Sequence, residues 1–121
     1  MEVLLNKIDT SIATSSGIIK PCKVQYAYRL YKLGGAATSL SMLSKPLTIY
    51  KNEGEGYRPD EKESNKAVQL KLPQMPSALG LNMMQIYRIS YIQVGQEPQV
   101  SLIYDNTIMN NTTWIDTGYD I

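Results

Sequence analysis

The sequence predicts an all-β fold, an antiparallel β-sandwich. Three observations carry that expectation. Apolar and polar residues alternate with a period of two in several short stretches, the pattern of strands with one buried face. Turn formers and breakers divide the chain into short pieces: Gly34-Gly35, Gly54 and Gly56 with Pro59, then Pro73, Pro76 and Pro98. The strand-like pieces recur at roughly ten-residue spacing, which suits two packed sheets.

Cys22 to Leu33 is the clearest strand, with Val24, Tyr26, Tyr28 and Leu30 on one face and Gln25, Ala27 and Arg29 on the other. Leu47-Thr48-Ile49-Tyr50 is a short strand entered from Pro46. Ala67 to Leu72 sends Val68, Leu70 and Leu72 to one face, Gln69 and Lys71 to the other. Ser77 to Tyr87 is the best helical candidate, but Gly80 interrupts it and Pro73 and Pro76 precede it, so it reads as a loop with one turn at most. Met84 to Val94 places Tyr87, Ile89 and Tyr91 opposite Arg88 and Ser90. Gln99 to Tyr104 sets Val100, Leu102 and Tyr104 against Ser101 and Ile103, and Trp114-Ile115-Asp116 is a last short strand. Tyr occurs nine times and Phe never, so Tyr must supply most of the aromatic bulk, and a tyrosine hydroxyl needs a polar partner.

Composition bounds the function. With 121 residues, 43% apolar and 19% charged, the chain has the makings of one ordinary domain with a core. A net charge of +1 gives no broad electrostatic case for nucleic acid or an acidic membrane. The absence of His excludes imidazole catalysis and His-ligated zinc, and a single Cys excludes an intrachain disulfide and a cysteine cluster for metal. No apolar run approaches a membrane span, and the start, Met1-Glu2-Val3-Leu4-Leu5-Asn6-Lys7, does not read as a signal peptide.

Lys51 to Lys66 stands apart, with nine charges in 16 positions, four basic and five acidic. It reads as a solvated linker or long loop, or as a segment that orders against a partner. Ile8-Asp9-Thr10 recurs as Ile115-Asp116-Thr117, 107 positions later. Each copy reads as the end of a strand leading into a loop. The expected organisation is residues 1–50 as the second half of one module, 51–66 as the charged linker or loop, and 67–121 as the first part of a second. Alternatively, the two halves close into one permuted sandwich.

Tyr26-Ala27-Tyr28-Arg29-Leu30-Tyr31, followed by Gly34-Gly35 and the Ser-rich run from Ser39 to Ile49, resembles strands F and G of fibronectin type III modules. Val68 to Pro73 resembles strand A or B, Ile86-Tyr87-Arg88-Ile89 strand C, Val100 to Asp105 strand C′, and Trp114 to Gly118 strand E. The resemblance implies an immunoglobulin-like sandwich with strands out of phase, E-F-G and then A-B-C-C′-E. A fold of that kind does not itself give function. A more specific run joins the Tyr-Ala-Tyr-Arg-Leu-Tyr strand, Ser41-Met42-Leu43-Ser44-Lys45-Pro46, the charged spacer, Ser64 to Val68, Met84 to Tyr91, Glu97-Pro98-Gln99-Val100 and Ile115 to Gly118. That combination resembles the tail-hub or stabilisation proteins of short-tailed phages, crAss-like phages of gut Bacteroidales above all. Those proteins are far longer, so the resemblance implies a fragment, a structural part of a virion and no enzyme. It implies other protein subunits as partners, copies of the same chain among them. Its place would be the virion, or the infected cell's cytoplasm during assembly.

The residues themselves carry little chemistry. Asp60, Glu61 and Glu63 cluster in the charged segment; nothing sets two acids across a cleft as a glycosidase requires. Asp9 and Asp116 read as residues that fix a turn by side-chain hydrogen bonding. Gly34-Gly35 lacks the helix and Lys-Ser/Thr of a phosphate loop, and Cys22 has no activating base beyond Lys20 and Lys23. The Asn-x-Thr sequons at Asn110-Asn111-Thr112-Thr113 read as a polar hairpin loop. No cofactor, metal, small-molecule substrate, membrane or nucleic acid is expected. Tyr31 has the opposite strand parity to Tyr26 and Tyr28, so Tyr31 and Arg29 should face a partner; Tyr and Arg are enriched at interface hot spots. Trp114 joins them as a candidate interface residue. The rival function, a carbohydrate- or peptide-binding module of a bacterial surface protein, would use exposed aromatics including Trp114.

Overall fold

The structure, a computed structural model, describes residues 4–50, 64–76, 80–92 and 95–121. These contain seven strands and no helix: β1 (Asp9–Ile12), β2 (Cys22–Tyr31), β3 (Leu47–Ile49), β4 (Val68–Lys71), β5 (Met83–Tyr91), β6 (Gln99–Thr107) and β7 (Thr113–Asp116). A three-stranded sheet has the order β1-β4-β7 and a four-stranded sheet the order β3-β2-β5-β6. Every neighbouring pair is antiparallel. The all-β, two-sheet expectation is met.

Alternation places the core. Val24, Tyr26, Tyr28 and Leu30 of β2 are buried, as are Val68 and Leu70 of β4 and Leu72 after it. With Leu5, Ile8, Ile19, Ile49, Met84, Ile86 and Ile103 they form one apolar cluster between the sheets. Tyr supplies its aromatic bulk, and each buried hydroxyl has a partner: Tyr26 donates to Asp116 at 2.6 Å and Tyr28 to the carbonyl of Asn6 at 2.7 Å.

Two sequence readings need correction. In β5 the parity is as expected, but the buried face is Met84, Ile86, Arg88 and Ser90, while Tyr87, Ile89 and Tyr91 lie half-buried outside. An arginine can face the core because a carboxylate waits there. Nor does the Ile-Asp-Thr echo mark two equivalent strand ends. Asp9 opens β1 opposite Lys71, exposed, whereas Asp116 closes β7 opposite Val68, buried at 1% exposure. The triplets flank β4 on its two sides and face opposite ways. Of the Ser77–Tyr87 loop, residues 77–79 lie outside the described residues, and Met83–Tyr87 are strand. Of the charged 51–66 segment, 51–63 lie outside them.

The edge of β2 beyond β3 is closed by the segment Thr38–Ser44. The amides of Thr38, Ser41 and Ser44 donate to the carbonyls of Leu30, Tyr28 and Tyr26, at 2.8, 2.7 and 2.9 Å. Their hydroxyls accept from the amides of the same three residues, at 3.0, 3.0 and 2.7 Å. Three residues of this strap step past two residues of strand, so hydroxyls stand in for the carbonyls that a regular neighbour would supply. The turn into it bonds Gly35 to the Lys32 carbonyl at 2.9 Å, with Gly34 at φ +71°, a conformation that favours glycine.

Candidate functional site

The outer face of the four-stranded sheet gathers the residues suited to contact. Strand alternation sends Arg29 and Tyr31 of β2, Gln85, Tyr87 and Ile89 of β5, and Val100 and Leu102 of β6 to this side, and the extra residue Ile103 brings Asp105 of β6 to it as well. A polar row crosses the three strands. Arg29 Nε donates to Gln85 Oε1 at 2.7 Å, and the Tyr87 hydroxyl donates to the same oxygen at 3.0 Å. Gln85 Nε2 donates to Asp105 Oδ2 at 3.2 Å, and the Tyr31 hydroxyl donates to Asp105 Oδ1. That bond to a carboxylate holds the Tyr31 hydroxyl above the usual tyrosine range, since a phenolate there would face Asp105. Further along, the Tyr91 hydroxyl donates to Gln25 Oε1 at 2.8 Å, and Gln25 Nε2 donates to the Ser44 carbonyl at 2.9 Å.

Beside this row lies an apolar hollow of about 240 Å³, lined by Ala27, Arg29, Leu40, Tyr87, Ile89 and Val100. Leu40, Met42 and Leu43 of the strap are exposed. Bonding every third residue to β2 leaves the apolar residues between them on the surface. Fixed aromatic, aliphatic and arginine side chains around a hollow are the composition of a protein-contact face.

Arg29 and Tyr31 are thus brought onto one face and linked through Gln85 and Asp105. Trp114 is not with them. It sits on β7 of the other sheet, opposite Leu70, packed edge-on to Tyr104 with ring centroids 5.5 Å apart and planes at 69°.

A second polar cluster is internal. Arg88 Nη1 lies 3.3 Å from both carboxylate oxygens of Asp116; Arg88 Nη2 donates to the Gly118 carbonyl at 3.3 Å and to Asp120 at 2.5 Å. Burial pulls the Arg88 guanidinium down, but Asp116, Tyr26 and Asp120 together outweigh it and the net displacement is upward. Burial, with Asp116 adjoining, pushes Tyr26 well above its ordinary range. Asp116 also accepts from the Gly118 amide at 3.0 Å, the side-chain turn expected of it. Sequence reasoning missed its second role, because the partners Tyr26 and Arg88 lie 90 and 28 residues away. Cys22 opens β2, buried, with its thiol pushed up to about 11 by desolvation, the wrong direction for a nucleophile. The carboxylates of this cluster are taken up in holding Arg88 and Tyr26.

A family model described as Crassvirus muzzle protein matches residues 1–121. No curated protein matches the sequence.

Proposed function

The chain belongs to the Crassvirus muzzle protein family, a family of phage structural proteins, and from that premise we propose that it is a non-enzymatic module of the virion tail or neck that works by protein–protein contact. The observation that carries this reading is the outer face of the four-stranded sheet. Its side chains are locked by the Arg29–Gln85–Asp105–Tyr31 row, so little rotamer entropy remains to be lost on contact. The buried cluster serves the fold: Arg88 of one sheet grips Asp116 of the other.

The same reading treats residues 1–50 and 67–121 as one permuted sandwich of fibronectin type III type. The strand labels carried by the resemblance make β2 and β3 F and G, and β5 and β6 C and C′. The order β3-β2-β5-β6 is then G-F-C-C′. In support, β2 pairs with β5 over nine residue pairs, and β4 lies between β1 and β7. Trp114, packed on Tyr104 and half-buried, offers little as a stacking platform for a sugar. Peptide recognition at the hollow is the form of the rival reading that keeps an observation behind it.

Immunogold labelling of purified virions tests the proposal. Antibody raised against this chain should decorate the tail vertex. Label confined to the capsid shell, or absent from virions while present in infected-cell lysate, overturns it.

A further inference from the structure

The sheet edges are not alike. β1 and β7, at the edges of the smaller sheet, have four residues each. β3 has three, and the Thr38–Ser44 strap seals the rest of the β2 edge. Short edges and covered edges are two of the ways in which proteins avoid strand-to-strand association. β6 is different. It runs for nine residues, Gln99–Thr107, and holds no Lys, Arg or Pro. Its one charge, Asp105, is turned onto Gln85 and Tyr31 of its own sheet. The register shift opposite Ile86 and Tyr87 of β5 makes Ile103 an extra, bulged residue of β6 and leaves Gln99–Leu102 before it as the regular stretch.

The carbonyl of Leu102 accepts from the amide of Ile121 at 3.1 Å, so the Leu102 backbone faces away from β5. Antiparallel alternation turns the Val100 backbone the same way. Val100 is 63% exposed.

We infer that the β6 edge pairs with the β6 edge of a second copy, antiparallel about a two-fold axis at Ser101, over residues 100–102, ahead of the bulge at Ile103. The inference rests on the reading of the chain as a contact-making module and names the partner. Self-pairing suits the sequence. Val100 exchanges both main-chain hydrogen bonds with Leu102 of the other copy, and Leu102 with its Val100, as an isologous interface requires. Small Ser101 sits on the axis. Val100 and Leu102 lie on the outer face beside Tyr87 and Ile89, so the apolar hollow continues across the axis. Glu97 and Asp105 fall outside the paired stretch. Ile121 gives up its single bond to Leu102 as the second copy takes it over.

Light scattering coupled to size exclusion reads the outcome. At about 1 mM, where even a millimolar association is populated, the mass should rise toward the dimer. Val100→Pro should stay monomeric with a near-unchanged melting temperature, because the lost amide points away from β5 and makes no bond within the sheet. Val100→Lys reads the same mass should the proline variant not fold. A wild-type monomer throughout that range, a folded Val100→Pro that remains dimeric, or a dimer dissolved by Leu40→Lys and spared by Val100→Pro each overturns the inference. Failure to label virions with the dimer intact overturns the tail assignment alone; a monomer with labelled virions overturns the pairing alone.

Discussion

The hydroxyl of Tyr26 donates a 2.6 Å hydrogen bond to the carboxylate of Asp116, 90 residues away in the chain and on the facing sheet. Arg88 shares the same carboxylate, so one buried acid satisfies a phenol and a guanidinium. Asp116→Ala leaves the Tyr26 hydroxyl without a partner and Arg88 with only Asp120 and the Gly118 carbonyl, and removing one member of a buried pair costs about 3–5 kcal/mol. Asp116→Asn keeps an acceptor for Tyr26 and should lose less. Urea midpoints of the two variants check the order.

Alkaline pH should destabilise the fold. Cys22, Tyr28 and Tyr26 all titrate higher folded than unfolded: Cys22 at about 11 against 9.0, Tyr28 at about 12 against 10.0, and Tyr26 well above 10.0, each through desolvation first. Below pH 9 the unfolded chain holds these protons too, and stability is flat with respect to them. Above it the unfolded state releases them first, so stability is lost progressively from pH 9 up through 12. Urea midpoints at rising pH should fall across that window. Phenolate absorbance should show Tyr26 and Tyr28 ionising only with unfolding.

Ser41→Ala removes the hydroxyl that accepts from the Tyr28 amide. A buried donor left unpaired costs about 1–3 kcal/mol. Hydrogen exchange should speed most at Tyr28, and less at Tyr26 and Leu30, whose own hydroxyl partners Ser44 and Thr38 remain. Uniform acceleration along β2 would mean that the strap contributes no residue-specific protection.

Gly118 has φ +106°, and a Cβ there would lie 2.9 Å from the Ile19 amide nitrogen. Gly95 has φ +84° and open space around it. Gly95→Ala bears the backbone penalty alone, about 1–2 kcal/mol. Gly118→Ala should cost more, through the same penalty with the clash added, and paired melting curves measure the difference.

Much of this fold is legible because alternation is a local signal. Val24, Tyr26, Tyr28 and Leu30 announce one buried face without reference to any other part of the chain, and Tyr31 announces the other. β5 shows where that logic stops. Its more apolar side, Tyr87, Ile89 and Tyr91, faces out, since Arg88 is drawn inward by an acid 28 residues on, and a pairing of that range leaves no local trace. Arg29 and Tyr31 could be assigned to a contact face by parity and residue type. The third candidate, Trp114, could not be separated from them, because which sheet a short strand joins is fixed by pairing. The strap was visible only as a Ser-rich bend. Its spacing of three matches neither helix nor strand, and its hydroxyls acquire meaning only beside β2.

β1 and β7 both pair with the same four residues of β4, Val68–Lys71, and both run antiparallel to it, hence parallel to each other. A pull applied through Asp9 at the start of β1 and Asp116 at the end of β7 therefore drags the two strands in opposite directions along β4. Their ladder bonds are loaded together in shear, and none can open alone like the teeth of a zip. The small sheet resists tension along its strands more than its size would indicate, a useful property wherever neighbouring parts of an assembly strain against one another.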